Sequence, residues 1–271
     1  MGTKRGSQQL TLVCTLLLSL CAAEAVGPSV PTPSLKQELD EGMAAWFLVA
    51  ASSVTLSYDQ QDLLISVRQE VSGKSSAVNA ARQKLVGLVA DGVASGTLDD
   101  KAIDATLQEM TAAAEARDPA VVDGLTRLHA GLSPDQRKSM AQTIAQGISS
   151  LAGQSKTERE QLQRRVDSLT ANVGLTPEQT ARVKSDILDG YKQFAPELND
   201  EAATRQKQLG GLSQGFAGFY FQPTVANVTA AWDLLPKSKR LIAFARTLTG
   251  ILNPSQRAQV AALIRERVNF G

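Results

Sequence analysis

A five-residue pattern, Leu-[Ser/Thr/Asn]-x-x-Gln, occurs four times in the 271-residue chain and constrains its fold more than any other feature. It begins at Leu56, Leu132, Leu175 and Leu252, where it reads LSYDQ, LSPDQ, LTPEQ and LNPSQ. The first two copies are 76 residues apart and the last two are 77 apart, and the two pairs are offset by 119 and 120 residues. Unrelated matches would not keep this register, so the spacing indicates two tandem copies of one unit.

Each motif contains the residue types that begin an α-helix. The second position is a residue that caps the first turn through its side chain, and the glutamine three places later is the reciprocal partner in a capping box. Three motifs also place proline at the first helical position, where its missing N–H costs nothing. We interpret the motif residues as structural helix caps; they are Leu56, Ser57, Gln60, Leu132, Ser133, Gln136, Leu175, Thr176, Gln179, Leu252, Asn253 and Gln256.

The segments that follow the motifs carry apolar residues at spacings of three and four, which is typical of amphipathic helices. No segment shows the alternating pattern of a strand. The sequence therefore predicts an all-α fold of two tandem helical units, each of about four to five helices. Unit 1 is predicted at residues 34–153 and unit 2 at residues 154–271, with helices at 34–51, 99–116, 155–171, 196–209 and 223–234 besides those after the motifs.

The first 25 residues have the pattern of an export signal. Lys4 and Arg5 precede an apolar run, and Ala23-Glu24-Ala25 places small residues where a signal peptidase cleaves. A Pro-rich leader, residues 26–33, follows, and no later segment is long and apolar enough to cross a membrane. We expect a periplasmic protein whose mature chain has no transmembrane segment and no cysteine. The alternative is a lipoprotein anchored through Cys21, which Leu20 disfavours because a lipobox has a small residue there.

The formal net charge is only +1, so nucleic acid is not an expected partner. The charge is unevenly distributed, however. Residues 26–160 contain 17 acidic and 12 basic side chains, whereas residues 161–271 contain 9 acidic and 14 basic ones. Opposite charges on the two halves indicate that the halves attract each other.

Two Leu-Thr-x-x-Gln-type motifs about 75 residues apart, with helices between them, resemble the Spy/CpxP family of periplasmic proteins. The segment LVGLVADGVASGTLDDKAIDATLQEM at Leu85–Met110 also looks like the central segment of that family, and FQPTVANVTAAW at Phe221–Trp232 is a looser match. The resemblance implies thin helical units that pair into a curved cradle and hold unfolded clients without ATP. It further implies that this chain carries two such units, whose opposite charges favour an intramolecular pseudo-dimer. The chain departs from the family in its neutral charge, its single histidine and the insertion GFAGFYF at Gly215–Phe221.

Catalytic chemistry finds little support in the sequence. The predicted mature chain has no cysteine and one histidine, His129, and it lacks nucleophile-elbow and phosphate-loop motifs. We therefore predict no enzyme activity, no catalytic residues, no cofactor and no metal site. His129 is interpreted as an ordinary helix residue near the turn before LSPDQ.

Two aromatic groups are candidates for binding clients: Trp46 and Phe47, and the set Phe216, Phe219, Tyr220 and Phe221. Each group could instead fill the core between the two halves, which is the favoured interpretation of GFAGFYF because aromatic rings dominate core burial. The expected function is an ATP-independent periplasmic chaperone for unfolded or partly folded proteins. The alternatives are an envelope-stress or metal-response regulator that binds the periplasmic domain of a sensor kinase, and a non-catalytic structural protein.

Overall fold

Helices are the only regular secondary structure in the described part of the chain, which confirms the predicted all-α class. The computed structural model describes residues 31–34, 37–38, 41–152, 167, 173–229 and 234–268. The predicted signal peptide, both cysteines, most of the leader and the predicted unit boundary near residue 153 lie outside these residues.

The described residues contain nine α-helices and one 3₁₀ turn, Ala51–Ser53. The helices are α1 (Ala44–Ala50), α2 (Tyr58–Lys74), α3 (Ser76–Ser95), α4 (Asp100–Gly131), α5 (Pro134–Ala152), α6 (Pro177–Ala217), α7 (Val225–Thr229), α8 (Leu234–Ile251) and α9 (Pro254–Val268). None of the helices among these residues is both long and apolar enough to cross a membrane.

All four motifs begin a helix, as predicted. Helices α2, α5, α6 and α9 each start at the residue after the Ser, Thr or Asn of a motif. In every copy that side chain accepts a hydrogen bond from the backbone N–H of the motif glutamine, and the glutamine Oε1 accepts one from the cap residue's own N–H. Two orphan donors of each helix start are thereby satisfied, which is the capping box expected from the sequence.

Three predicted helices differ from the structure in extent. The helix predicted at 34–51 is broken at Gly42, which adopts φ +58°, and α1 begins only at Ala44. The helix predicted at 99–116 continues through Pro119 to Gly131, and the one predicted to begin at Pro196 is the interior of α6. Proline lowers helix stability locally, but buried residues of α4 on both sides of Pro119, including Met110 and Val121, keep that helix continuous against its neighbours.

The last helix of each half packs on a long helix of the other half. Helix α9, from the second half, lies along α3 in the first, and α5, from the first half, lies along the C-terminal part of α6 in the second. A buried hydrogen bond, from Ser213 Oγ to the Ala141 carbonyl at 3.1 Å, joins α6 to α5. Each half therefore packs its last helix against the other half, and we call this arrangement the exchange of α5 and α9.

Each of the two hydrophobic cores contains residues from both halves. The first core, formed by α3 and the N-terminal part of α4 with α8, α9 and the start of α6, includes Val89 and Val260. The second core, formed by α1, α2, α5 and the C-terminal part of α4 with the end of α6 and α7, includes Leu125 and Phe216. Neither of these cores is made by one half alone, so burial of apolar surface holds the two halves of the chain together.

Two exposed ion pairs also join the acidic half to the basic half, Arg246 with Asp100 and Arg265 with Asp91. All four side chains are 49–69% exposed, so each pair is expected to contribute only about 0.2–1 kcal/mol.

The double variant Arg246→Gln/Arg265→Gln is expected to lower the free energy of unfolding by about 1 kcal/mol at low ionic strength, and by almost nothing near 1 M salt. Urea unfolding at two salt concentrations measures both values. The control is Lys239→Gln, at an exposed position on α8, which should leave stability unchanged. A salt-independent loss in the double variant would contradict an electrostatic role.

Candidate functional site

The four motif glutamines form two reciprocal pairs, which we call the glutamine clamps. In the first clamp the Gln60 and Gln136 amides donate to each other's Oε1 at 3.0 Å. In the second, Gln179 and Gln256 do the same at 2.9 and 3.0 Å. The partners in each clamp are 76 and 77 residues apart in the chain, so each clamp joins the starts of two helices that are distant in sequence.

Each clamp amide also binds a backbone carbonyl just before the partner motif. Gln60 donates to Gly131, the last residue of α4, at 2.9 Å, and Gln136 donates to Thr55 at 2.7 Å. In the second clamp Gln179 donates to Ile251 at 2.9 Å, and Gln256 to Gly174 at 3.1 Å. Every glutamine therefore uses both N–H groups and both lone pairs of its amide, which is its full hydrogen-bonding capacity.

The glutamine clamps explain why the fifth motif position is glutamine in all four copies. A capping box accepts glutamate equally well, and the helix dipole favours the negative charge of glutamate at this position. Only the amide can also donate, and the clamp needs two donors from each side chain. The sequence shows glutamine at this position in all four motifs, but the capping box, which glutamate also satisfies, did not explain why glutamate is absent.

Three of the predicted client-binding aromatics lie in the second core. Trp46 is 3% exposed and donates through Nε1 to Glu38 at 3.0 Å, while Phe47 and Phe216 are fully buried with their rings 4.9 Å apart. Burial by α1, α5 and the end of α6 therefore leaves these three rings no surface to offer a client in this structure. For Phe216 the structure agrees with the core-filling interpretation of GFAGFYF.

Phe219 and Tyr220, by contrast, are the aromatic pair that GFAGFYF exposes. They lie in the loop between α6 and α7, with exposed fractions of 78% and 84%, and their rings meet edge to face at 4.9 Å. The stretch is thus divided between core and surface within four residues. The sequence offered core filling and client contact as alternatives; the structure buries Phe216 and exposes Phe219 and Tyr220, and client contact by the exposed pair stays a prediction.

The loop that carries this pair is fixed to α4 by His129. Its Nε2 lies 3.0 Å from the Gly218 carbonyl, so this nitrogen is the donor. The imidazole also stacks on Phe221 at 5.2 Å and meets the edge of Phe216 at 5.6 Å. Because α4 and the loop belong to different halves of the chain, His129 is an anchor between the halves and not an ordinary helix residue.

A groove of about 500 Å³ opens beside the aromatic pair, between the C-terminal part of α6, the loop and the start of α7. Its apolar lining comes from Leu212, Tyr220, Phe221 and Pro223, and its polar lining includes the amides Gln208, Gln222 and Asn227. Such a mixture of aromatic and amide groups suits an extended peptide, whose backbone offers donors and acceptors along an apolar contact. Among the described residues, no three His, Cys, Asp or Glu side chains are grouped closely enough to hold a metal ion.

Comparison of the chain with models of known families, with curated proteins and with solved structures gave no match. The resemblance of the four motifs to the Spy/CpxP family therefore stays a prediction from sequence, and the interpretation of function depends on the site itself.

Proposed function

We propose that this protein is an ATP-independent chaperone of the bacterial periplasm that binds unfolded or partly folded proteins through the exposed Phe219–Tyr220 pair and the groove beside it. The observation that carries the proposal is this pair of exposed aromatic rings on an anchored loop. Large aromatic side chains lose little entropy on binding and adapt to many partners, which suits a receptor for varied sequences. The four motifs and the predicted export signal support the same function and location.

The anchoring of the loop matters for this function. His129 and Phe221 hold its two ends against α4 and the second core, so the aromatic pair is presented without a large ordering cost on binding. A groove that combines amides and apolar side chains can take up polypeptide backbone without selecting one sequence. Binding at such a site is expected to be weak and promiscuous.

The test is light scattering from an unrelated, denaturant-unfolded protein diluted into buffer without nucleotide, with and without the chain from residue 26 onward. The protein is expected to suppress aggregation at near-stoichiometric amounts. The double variant Phe219→Ser/Tyr220→Ser should need roughly fivefold more protein for the same suppression, because aromatic anchors dominate such interfaces.

The matched control is Tyr58→Ser/Ile65→Ser, which removes two exposed apolar side chains from α2, neither of which lines the groove. It should suppress aggregation as well as the parent does, and circular dichroism should show equal helix content in all three proteins. Absence of suppression by the folded parent would end the proposal and favour a dedicated regulator or a structural role. Equal loss in both double variants would move the client site away from the groove.

A further inference from the structure

The described lining of the groove carries positive charge only. Among the described residues that line it, Lys207 is the only charged one and none is acidic. Lys207 lies on α6, one turn before Gly211, and its side chain is exposed. An ammonium group at the rim of an otherwise uncharged groove attracts carboxylates and repels cations.

The floor of the groove contains a hydrogen-bonding group without a partner. The Oε1 atom of Gln208 is buried, and no donor lies within hydrogen-bonding distance of it among the residues that the structure describes. Buried polar atoms in folded proteins are almost always paired, so this acceptor stands out. Because this atom has no exposed surface, a peptide N–H in the groove meets it only after the half-buried Gln208 side chain rotates, and an acceptor without a partner gives up no hydrogen bond in doing so.

An apolar wall completes the site. Tyr220 and Phe221 stand on the loop side of the groove, while Leu212 is largely buried beneath it. In a bound peptide, an aliphatic or aromatic side chain would pack on this wall, a backbone N–H would donate to the Gln208 amide, and an acidic side chain would pair with Lys207.

We infer that the groove selects extended peptide segments in which an aromatic or large aliphatic side chain is followed within a residue or two by aspartate or glutamate. This inference rests on the proposed chaperone function and names the class of client segment that the same site prefers. Segments with lysine or arginine in place of the acid are bound more weakly, because they meet Lys207 instead of an opposing charge.

Fluorescence anisotropy with three labelled peptides of equal length tests the preference. The first peptide carries phenylalanine followed by aspartate, the second has lysine in place of the aspartate, and the third has serine in place of the phenylalanine. The parent protein is expected to bind the first peptide roughly fivefold more tightly than either of the others at low salt. High salt should remove the difference between the first and second peptides only.

Lys207→Glu is expected to reverse the preference between the first and second peptides. The matched control is Lys239→Glu, the same charge change at an exposed position on α8, which does not line the groove and should leave the preference unchanged. Equal binding of the first and second peptides by the parent, or equal effects of the two variants, would overturn the inference. Suppression of aggregation that persists in that case would leave the proposed chaperone function standing, whereas loss of both would remove both.

Gln208→Met tests the role of the Gln208 amide by separating its effect on peptide affinity from its effect on stability. Methionine has nearly the same length but no buried acceptor, so the variant should melt at the same temperature as the parent or a higher one. Its affinity for the first peptide should nevertheless fall by roughly threefold or more, because the backbone donor loses its acceptor. A variant that is destabilised and binds normally would contradict the role assigned to Gln208.

Discussion

Replacing Arg117 with methionine is expected to lower the free energy of unfolding by about 3–5 kcal/mol, a large part of the stability of an ordinary domain. Arg117 lies in the middle of α4 and is 1% exposed, and the adjacent Asp118 is 2% exposed. Their charged groups are 3.6 Å apart. The methionine side chain fills most of the space of the arginine stem, so the expected loss comes mainly from taking away the positive charge that lies beside the buried Asp118 carboxylate.

The surroundings of Arg117 account for this cost. The guanidinium lies against Gly42, where an added Cβ would come within 3.1 Å of it, and the φ of +58° at that residue also favours glycine. Glu41 is buried beside it and pairs with Arg68 at 2.8 Å. Burial lowers the pKa of Arg117, while the nearby Asp118 carboxylate raises it. Charges removed from water in this way depend on one another far more than exposed pairs do.

Arg127→Met on the same helix is the matched control. Arg127 pairs with both Glu70 and Asp123, but its side chain is 35% exposed, so this change should cost no more than about 1 kcal/mol. Urea unfolding followed by circular dichroism compares the two variants. Adding Asp118→Asn to Arg117→Met should recover part of the loss, because it removes the buried negative charge that Arg117 had opposed. Equal losses in the two arginine variants, or no recovery, would show that the buried charges are not the cause.

The four capping motifs predicted the starts of their helices correctly, whereas the extents of the other helices were predicted less well. The capping residues Ser57 and Thr176 act over a single turn, so sequence contains all the information needed to place them. The helix break at Gly42 lies where the Arg117 guanidinium packs against the backbone, and α6 continues through Pro196 although proline removes a helical N–H donor. Neither outcome follows from the periodicity of the segment alone, because local propensity is a weak guide to whether a helix breaks or continues.

The mixing of the two halves was likewise only partly visible in the sequence. The unequal charges predicted attraction between the halves, and two ion pairs do join them, Arg246 with Asp100 and Arg265 with Asp91. The exchange of α5 and α9 between halves is a matter of topology, which composition does not encode. The two tandem units and their pseudo-dimer stay a prediction, although the exchange and the two mixed cores are what such a pseudo-dimer would require.

The sequence located the aromatic stretch, but it did not predict which of its rings are buried and which are exposed. Glycine and aromatic residues alternate in GFAGFYF, so no regular period separates the buried Phe216 from the exposed Tyr220. The division arises because α6 ends at Ala217, and the chain then turns so that Phe221 returns to His129. His129 itself was assigned no role, because its contacts with Gly218 and Phe221 join positions about 90 residues apart in the chain.

Gln136→Glu is expected to lower the free energy of unfolding by about 2–3 kcal/mol, although the two side chains have the same shape. The carboxylate can still accept from the Ser133 N–H and from Gln60 Nε2. It cannot donate to the Thr55 carbonyl at 2.7 Å or to Gln60 Oε1 at 3.0 Å, and its second oxygen would face both acceptors. The first clamp would thus lose two hydrogen bonds and gain repulsion between oxygens.

Gln142→Glu is the control for this change, since Gln142 is exposed on the same helix, α5. Gln256→Glu and Gln259→Glu repeat the comparison on α9, where Gln256 is 5% exposed and Gln259 is exposed. Both clamp variants should lose stability, and both controls should lose little. Because the two clamps share one geometry, a loss in one clamp variant without the other would contradict the equivalence of the two repeats.

The pH dependence of the clamp variants identifies the cause of their loss. In Gln136→Glu the folded clamp disfavours the charged form of the introduced carboxyl group, so the pKa of that group should be higher in the folded than in the unfolded protein. A group of this kind is least destabilising when it is protonated in both states, and its full penalty appears as the pH rises through the folded-state pKa. The difference in stability between Gln136→Glu and the parent should therefore shrink between about pH 7 and about pH 4, because a protonated carboxyl regains one donor. A difference that stays constant with pH would show that altered packing, and not the missing N–H donors, destabilises the clamp.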